Sequence, residues 1–125
     1  MHSILIVEDS RTQREILRQF LTRHKFSVTA VKDGLEALKA IKRNPPDLVL
    51  LDIIMPHVNG YEVCRHLKSN PKTHDIQVIL CSSKDSQIDR YWGLKQGADA
   101  YLIKPFTAKD LLVTIKQLIS VRSEA

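Results

Sequence analysis

Apolar residues in this chain fall into short runs separated by longer stretches where they recur every three or four positions. Ile4 to Val7, Leu48 to Leu51 and Tyr101 to Ile103 are unbroken, and Ile76 to Cys81 is interrupted only by Gln77. Such runs suit strands buried on both faces. Ser27 to Val31 instead alternates polar and apolar, the pattern of an edge strand with one wet face. The intervening stretches carry helical spacing. Ser10 with Gln13 has capping-box spacing ahead of Ile16, Leu17, Phe20 and Leu21. Asp33 with Glu36 opens a helix whose inner face is Leu35, Leu38 and Ile41, stopped by Asn44-Pro45-Pro46. A third helix is expected from about Tyr61 to Leu67, closed by Asn70-Pro71, and a fourth from Gln87 to Lys95, ending at Gly97. Thr107 with Asp110 caps the last, which turns Leu111, Leu112, Ile115, Leu118 and Ile119 inward, before the polar tail from Arg122 frays. On the fourth helix, Tyr91 or Trp92 can turn inward but not both, so one exposed aromatic is expected.

Five strands alternating with five helices predict an α/β three-layer sandwich around a parallel sheet. Right-handed crossovers favour the flavodoxin-like order 2-1-3-4-5, which puts the alternating strand at an edge and the switch point between strands one and three. Each inner strand then ends in a polar or charged residue. Strand one (to Val7) runs into Glu8-Asp9, strand three (Asp47 to Leu51) into Asp52, strand four into Ser82-Ser83 and strand five into Lys104-Pro105. Three carboxylates, a hydroxyl and an ammonium should therefore meet at one edge of the sheet.

Crowded carboxylates raise one another's pKa, and a hard divalent cation removes that conflict. Magnesium takes oxygen ligands and keeps waters, with manganese an alternative. Asp9 and Asp52 are candidates for direct ligation, Glu8 for ligation through water, and the backbone carbonyl of Ile54 for a further position. The free oxygen of Asp52 could then attack a phosphoryl donor in line, with Lys104 and the Ser82 hydroxyl compensating the acyl phosphate. Each residue alone has an ordinary explanation. Asp9 could simply face a helix N-terminus, Lys104 could be a surface lysine and Ser82 a turn residue. Their shared position at strand ends makes the chemical reading the stronger one.

Composition narrows the field. At 125 residues with 43% hydrophobic content, residues 1–125 are read as one domain with no output domain. No apolar run approaches a membrane span and no signal-peptide pattern opens the chain, which points to the cytoplasm. Cys64 and Cys81 are read as buried free thiols, and the five histidines lack metal-ligand spacing. The net charge of +5 comes from scattered bases with no aromatic interleaving, so direct nucleic-acid binding is not expected.

The set Glu8-Asp9, Asp52 in Leu-Leu-Asp-Ile-Ile-Met-Pro, Asn59-Gly60, Ser82-Ser83, Gly97-Ala98 and Lys104-Pro105-Phe106 resembles the receiver domain of bacterial two-component response regulators. The resemblance spans about residues 3 to 120. Lys84-Asp85 and Trp92-Gly93 through Ala98 are most similar to stand-alone chemotaxis-type regulators of twitching motility and phototaxis. It implies that Asp52 accepts a phosphoryl group from a histidine kinase or phosphotransfer protein, that Glu8 and Asp9 serve magnesium, and that Lys104 and Ser82 read the phosphate. Tyr101 falls on the aromatic switch position and would rotate inward on phosphorylation. The Lys104-Pro105 bond is expected to be cis. Output would pass to a protein target through helix four, strand five and helix five, in a monomer or weak dimer.

Two departures matter. The first acid is Glu8 rather than the commoner aspartate, and Asn59 stands where many members carry aspartate, either residue being a helix cap. Ile54 and Lys84, two residues after Asp52 and Ser82, flank the phosphoryl group in receivers and are expected to tune dephosphorylation. Ile54 also weighs against a turnover phosphatase, which would carry a second aspartate there as general acid. An unphosphorylated scaffold, the third possibility, has no need of both acids and Lys104. The chain is accordingly read as no enzyme beyond its own phosphotransfer and slow dephosphorylation.

Overall fold

The computed structural model describes residues 1–83 and 87–124, with the side chains of 121–124 undescribed. Strands β1 (Ser3–Val7), β2 (Ser27–Val31), β3 (Leu48–Asp52), β4 (Gln77–Ser82) and β5 (Ala100–Ile103) alternate with helices α1 (Arg11–Arg23), α2 (Gly34–Arg43), α3 (Gly60–Ser69), α4 (Gln87–Lys95) and α5 (Ala108–Glu124). All paired strands are parallel, in the order β2-β1-β3-β4-β5. This is the flavodoxin-like order that the pattern of the strands predicts.

Strand alternation divides the core in two. Leu5, Val7, Val49, Leu51, Val78 and Leu80 face one layer, meeting Ala37 and Ile41 of α2 and Val63, Cys64 and Leu67 of α3. Ile4, Ile6, Leu48, Leu50, Ile79 and Cys81 face the other, meeting Leu21 of α1 and Leu111 and Ile115 of α5. Every residue of β3 is buried, Asp52 included. Burying a Leu or Ile side chain contributes about 1.5–3 kcal/mol, so β1, β3 and β4 anchor the sheet. The edge strand β2 keeps Ser27 and Thr29 in solvent.

Side-chain caps begin the helices where their spacing predicts. Ser10, Asp33, Asn59 and Thr107 accept from the backbone N–H of Gln13, Glu36, Glu62 and Asp110, at 3.3, 2.9, 3.0 and 3.0 Å. Each such cap is worth about 1 kcal/mol. At the opposite edge of the sheet from the acidic residues, Lys68 ties α3 to β4 and the start of β5. Its ammonium donates to the Ile76 carbonyl at 2.8 Å and to Asp99 Oδ2 at 2.9 Å, and that carboxylate also accepts from the Val78 N–H.

Several side chains depart from the pattern-based expectation. Helical spacing predicts Ile16 and Leu35 on apolar faces, yet they are 55% and 46% exposed. Each lies one residue, about 100° of rotation, from the line its helix buries: Leu17 and Leu21 in α1, and Gly34, Ala37 and Ile41 in α2. On α4 neither aromatic turns inward. Tyr91 and Trp92 are both more than half exposed, beside exposed Ile88 and Leu94, and the buried residue is Gly93. Strand β3 extends to Asp52 itself, and α5 continues to Glu124, into the segment expected to fray.

Candidate functional site

Parallel pairing puts the last residues of β1, β3, β4 and β5 side by side. Val7 pairs with Leu51, Asp52 with Cys81 and Ser82 with Ile103. The residues just beyond therefore converge. Glu8, Asp9 and Asp52 each offer a carboxylate oxygen, and these oxygens lie within 4.8 Å of one another. Glu8 and Asp52 are buried, whereas Asp9 is exposed at the mouth. Lys104 reaches in from the end of β5, 2.7 Å from Glu8 Oε1 and 3.4 Å from Asp52 Oδ2.

Glu8 is held on every side. Its backbone N–H donates to the Val31 carbonyl at 3.1 Å. Its second carboxylate oxygen accepts from the Ser10 N–H at 3.1 Å, and its carbonyl accepts from Arg14 Nη1 at 2.9 Å. Arg14 escaped the sequence reading. The available signal was a base in the first turn of the helix that follows the acidic pair.

Burial and charge act differently on the two buried acids. Burial alone would raise the Glu8 carboxyl, but the Lys104 hydrogen bond and the Ser10 N–H together hold it below its ordinary value. Asp52 moves up. Burial dominates there, Lys104 opposes it, and the neighbouring charges of Glu8 and Asp9 add to the rise. Burial would lower Lys104, yet its hydrogen bond to Glu8 and the surrounding negative charge raise it, so it stays an ammonium. Three carboxylates around one lysine leave negative charge in excess. An oxygen-only donor set of that charge fits a hard divalent cation.

The β3–α3 loop is tied closely to Asp52. The Ile53 N–H donates to the Cys81 carbonyl and the Gly60 N–H to the Ile53 carbonyl. A Cβ at Gly60 would lie 2.5 Å from the Asp52 carbonyl oxygen, so α3 can begin this near the site only with glycine there. Ile54, two residues beyond Asp52, is 57% exposed.

Ser82 is buried at the end of β4, and its carbonyl accepts from the Lys104 N–H at 2.7 Å. The peptide bond between Lys104 and Pro105 is cis. Tyr101 already points inward, 9% exposed. Burial raises its phenol, and a side-chain hydrogen bond with Ser82 partly offsets the rise. Lys84 lies outside the described residues. Cys64 and Cys81 are buried free thiols, pushed up by burial to about 11 and about 12, and neither is a nucleophile at neutral pH.

Comparison with known proteins agrees with this geometry. The family profile of the response regulator receiver domain matches residues 4–116. The response regulator MprA of Mycobacterium sp. strain KMS is 43% identical over 116 residues, which cover 93% of this chain and 50% of that protein. The chain thus spans about half the length of the curated relatives it matches. Among solved structures, the receiver domain of a signal transduction histidine kinase from Syntrophus aciditrophicus superposes with a TM-score of 0.89 at 37% identity, covering 96% of this chain and 91% of its own. The chemotaxis response regulator CheY4 of Vibrio cholerae gives 0.89 at 25% identity, covering 94% and 98%.

The raised pKa of Asp52 fixes the sign of a stability effect. Ionised Asp52 costs folding energy at every pH above its folded pKa, and that cost disappears below the unfolded carboxyl's ordinary value of 3.8. Asp52→Asn should therefore raise the melting temperature at pH 7 without divalent cations, with the gain shrinking as pH falls toward 4. Saturating magnesium should stabilise the wild type by about 1–3 kcal/mol and the variant by much less. Thermal melts with and without magnesium, across pH, measure both effects.

Proposed function

The chain belongs to the response regulator receiver domain family, and from that premise we propose that it is a phosphorylation-switched signalling module with Asp52 as phosphoacceptor. The observation that carries the reading is the meeting of Asp52 with Glu8, Asp9 and Lys104 at one sheet edge. An Asp52 oxygen attacks the phosphorus of a phosphohistidine on a histidine kinase or phosphotransfer protein. A P–O bond forms, the P–N bond breaks, and the imidazole leaves.

Magnesium, or manganese in its place, would be held by Glu8, Asp9, Asp52 and the Ile54 carbonyl, and would neutralise charge on the phosphoryl oxygens. Lys104, poised between Glu8 and Asp52, supplies the protein's own cation to the phosphate, and the Ser82 hydroxyl supplies a neutral donor. The consequence passes through Tyr101 to the surface of α4, β5 and α5, where a protein target binds. In this reading the chain catalyses only its own phosphorylation and slow hydrolysis, acts in the cytoplasm as a monomer or weak dimer, and contacts no nucleic acid directly. Among the described residues no helix is long and apolar enough to cross a membrane.

Within the family we propose a place among regulators of motility or taxis signalling, and the likeness to the Vibrio chemotaxis protein supports this. The higher identity to MprA, a protein about twice as long, supports a competing assignment in which the receiver controls a further segment.

Incubation with magnesium and acetyl phosphate should add one phosphoryl group to the intact mass of the wild type and none to Asp52→Asn. Continuous phosphate release over many turnovers would instead mark an enzyme, and no adduct would mark a scaffold.

Exposed, apolar Ile54 screens the acyl phosphate from water in this proposal. Ile54→Asn should shorten the lifetime of the phosphorylated protein several-fold, followed by mass spectrometry after removal of the donor. Unchanged decay sinks that role.

The taxis assignment predicts faster phosphotransfer from a phosphorylated chemotaxis-type histidine kinase than from a sensor kinase of an MprA-type system. A preference for the latter in radiolabel transfer assays overturns it.

A further inference from the structure

Glycine is, after proline, the residue least suited to a helix interior, so Gly93 within α4 calls for a compensating role. The backbone supplies one. A Cβ at residue 93 would lie 2.8 Å from Tyr101 Cδ2, 3.1 Å from Cε2 and 3.4 Å from Leu80 Cδ1. The missing side chain is the space the tyrosine ring occupies, and Tyr101 is consequently buried. The remaining large apolar residues of α4 do not compete for that space. Ile88, Tyr91, Trp92 and Leu94 are all at least half exposed, at 69%, 59%, 52% and 51%, so α4 meets the sheet through its glycine rather than through a row of side chains. One further tie joins α4 to its other neighbour, a long hydrogen bond of 3.5 Å from the Tyr61 hydroxyl of α3 to the Asp89 carbonyl.

We infer that Gly93 is a positioning residue for the output surface: it forms the socket that admits the Tyr101 ring, and the seated ring fixes how α4 presents Ile88, Tyr91 and Trp92. The functional meaning rests on the receiver reading above, in which Tyr101 relays the state of Asp52. The socket itself does not depend on phosphorylation. Steric fit sets its consequences. With a methyl group at residue 93, the ring and the helix cannot both keep their places, because the nearest atoms belong to a rigid ring anchored on β5. Either Tyr101 leaves or α4 lifts, and both expose the ring.

The test is tyrosine nitration by tetranitromethane, mapped by peptide mass spectrometry on the full chain without any phosphoryl donor. Exposed Tyr91 serves as the internal reference. In the wild type Tyr101 should be protected relative to Tyr91, and in Gly93→Ala the ratio should rise several-fold while circular dichroism shows a folded protein. A folded Gly93→Ala with unchanged Tyr101 protection overturns the socket. The second arm is Gly93→Ala combined with Tyr101→Val, which removes the ring that alanine would strike. Alanine at residue 93 should then raise the melting temperature relative to Tyr101→Val alone, since only its better helix propensity remains. If alanine lowers the melting temperature equally in both backgrounds, the proposal fails, whether or not Gly93→Ala alone folds well. Failure of the receiver reading would show separately, as absence of the Asp52 adduct.

Discussion

Three carboxylates facing one ammonium at the edge of a parallel sheet is the constraint on which the rest of this structure depends. Two like charges within 4.8 Å repel by roughly 3.5 kcal/mol at an effective dielectric of about 20, and Glu8 and Asp52 bear this while buried. Lys104 relieves it unequally. Its ammonium lies closer to Glu8 than to Asp52, so Glu8 ends below its ordinary pKa and Asp52 above. The group left under-compensated is the one that the proposed function asks to react. Glu8 is the longer of the two acidic side chains and already engages Lys104, the Ser10 N–H and, through its carbonyl, Arg14. It behaves as the fixed member of the cluster.

Holding such a cluster together requires rigidity elsewhere, and the core provides it. Strand β3 carries no exposed residue, so Asp52 cannot slide outward without withdrawing Leu48 to Leu51 from both layers. Gly60 brings the start of α3 against the Asp52 carbonyl, and the Ile53 N–H is bonded to β4. These constraints localise change. With the backbone around Asp52 over-determined, the proposed switch falls to side chains: Lys104 beside Asp52, and Ser82 with its partner Tyr101.

Much of this was legible in the amino-acid sequence because it depends on local pattern. Strand order followed from which runs were apolar on both faces, helix starts followed from capping spacing, and the site followed from what each strand ran into. What escaped depends on tertiary fit. Ile16 and Leu35 are apolar at helical spacing, yet each sits about one residue's rotation off the buried line, an angle that only the neighbouring layer determines. Arg14 acts through a backbone carbonyl, which leaves no mark in a pattern of side chains. The aromatics of α4 were expected to compete for one inward position, and a glycine holds it instead.

The seating of α4 bears directly on the proposed switch. A helix seated by a row of buried leucines would resist movement, since withdrawing each would forfeit about 1.5–3 kcal/mol of burial. Helix α4 offers no such row among its described side chains. Its apolar residues stand in solvent, and the ring of Tyr101 fills the place where its own side chain would be. The seat is therefore borrowed from β5, from a residue three positions before Lys104 and hydrogen-bonded to Ser82 at the site. A change at Asp52 that moves Ser82 or Lys104 need only bias one ring to alter the footing of α4. In the proposed function, the exposed apolar side chains of that helix are where a partner protein would read the result.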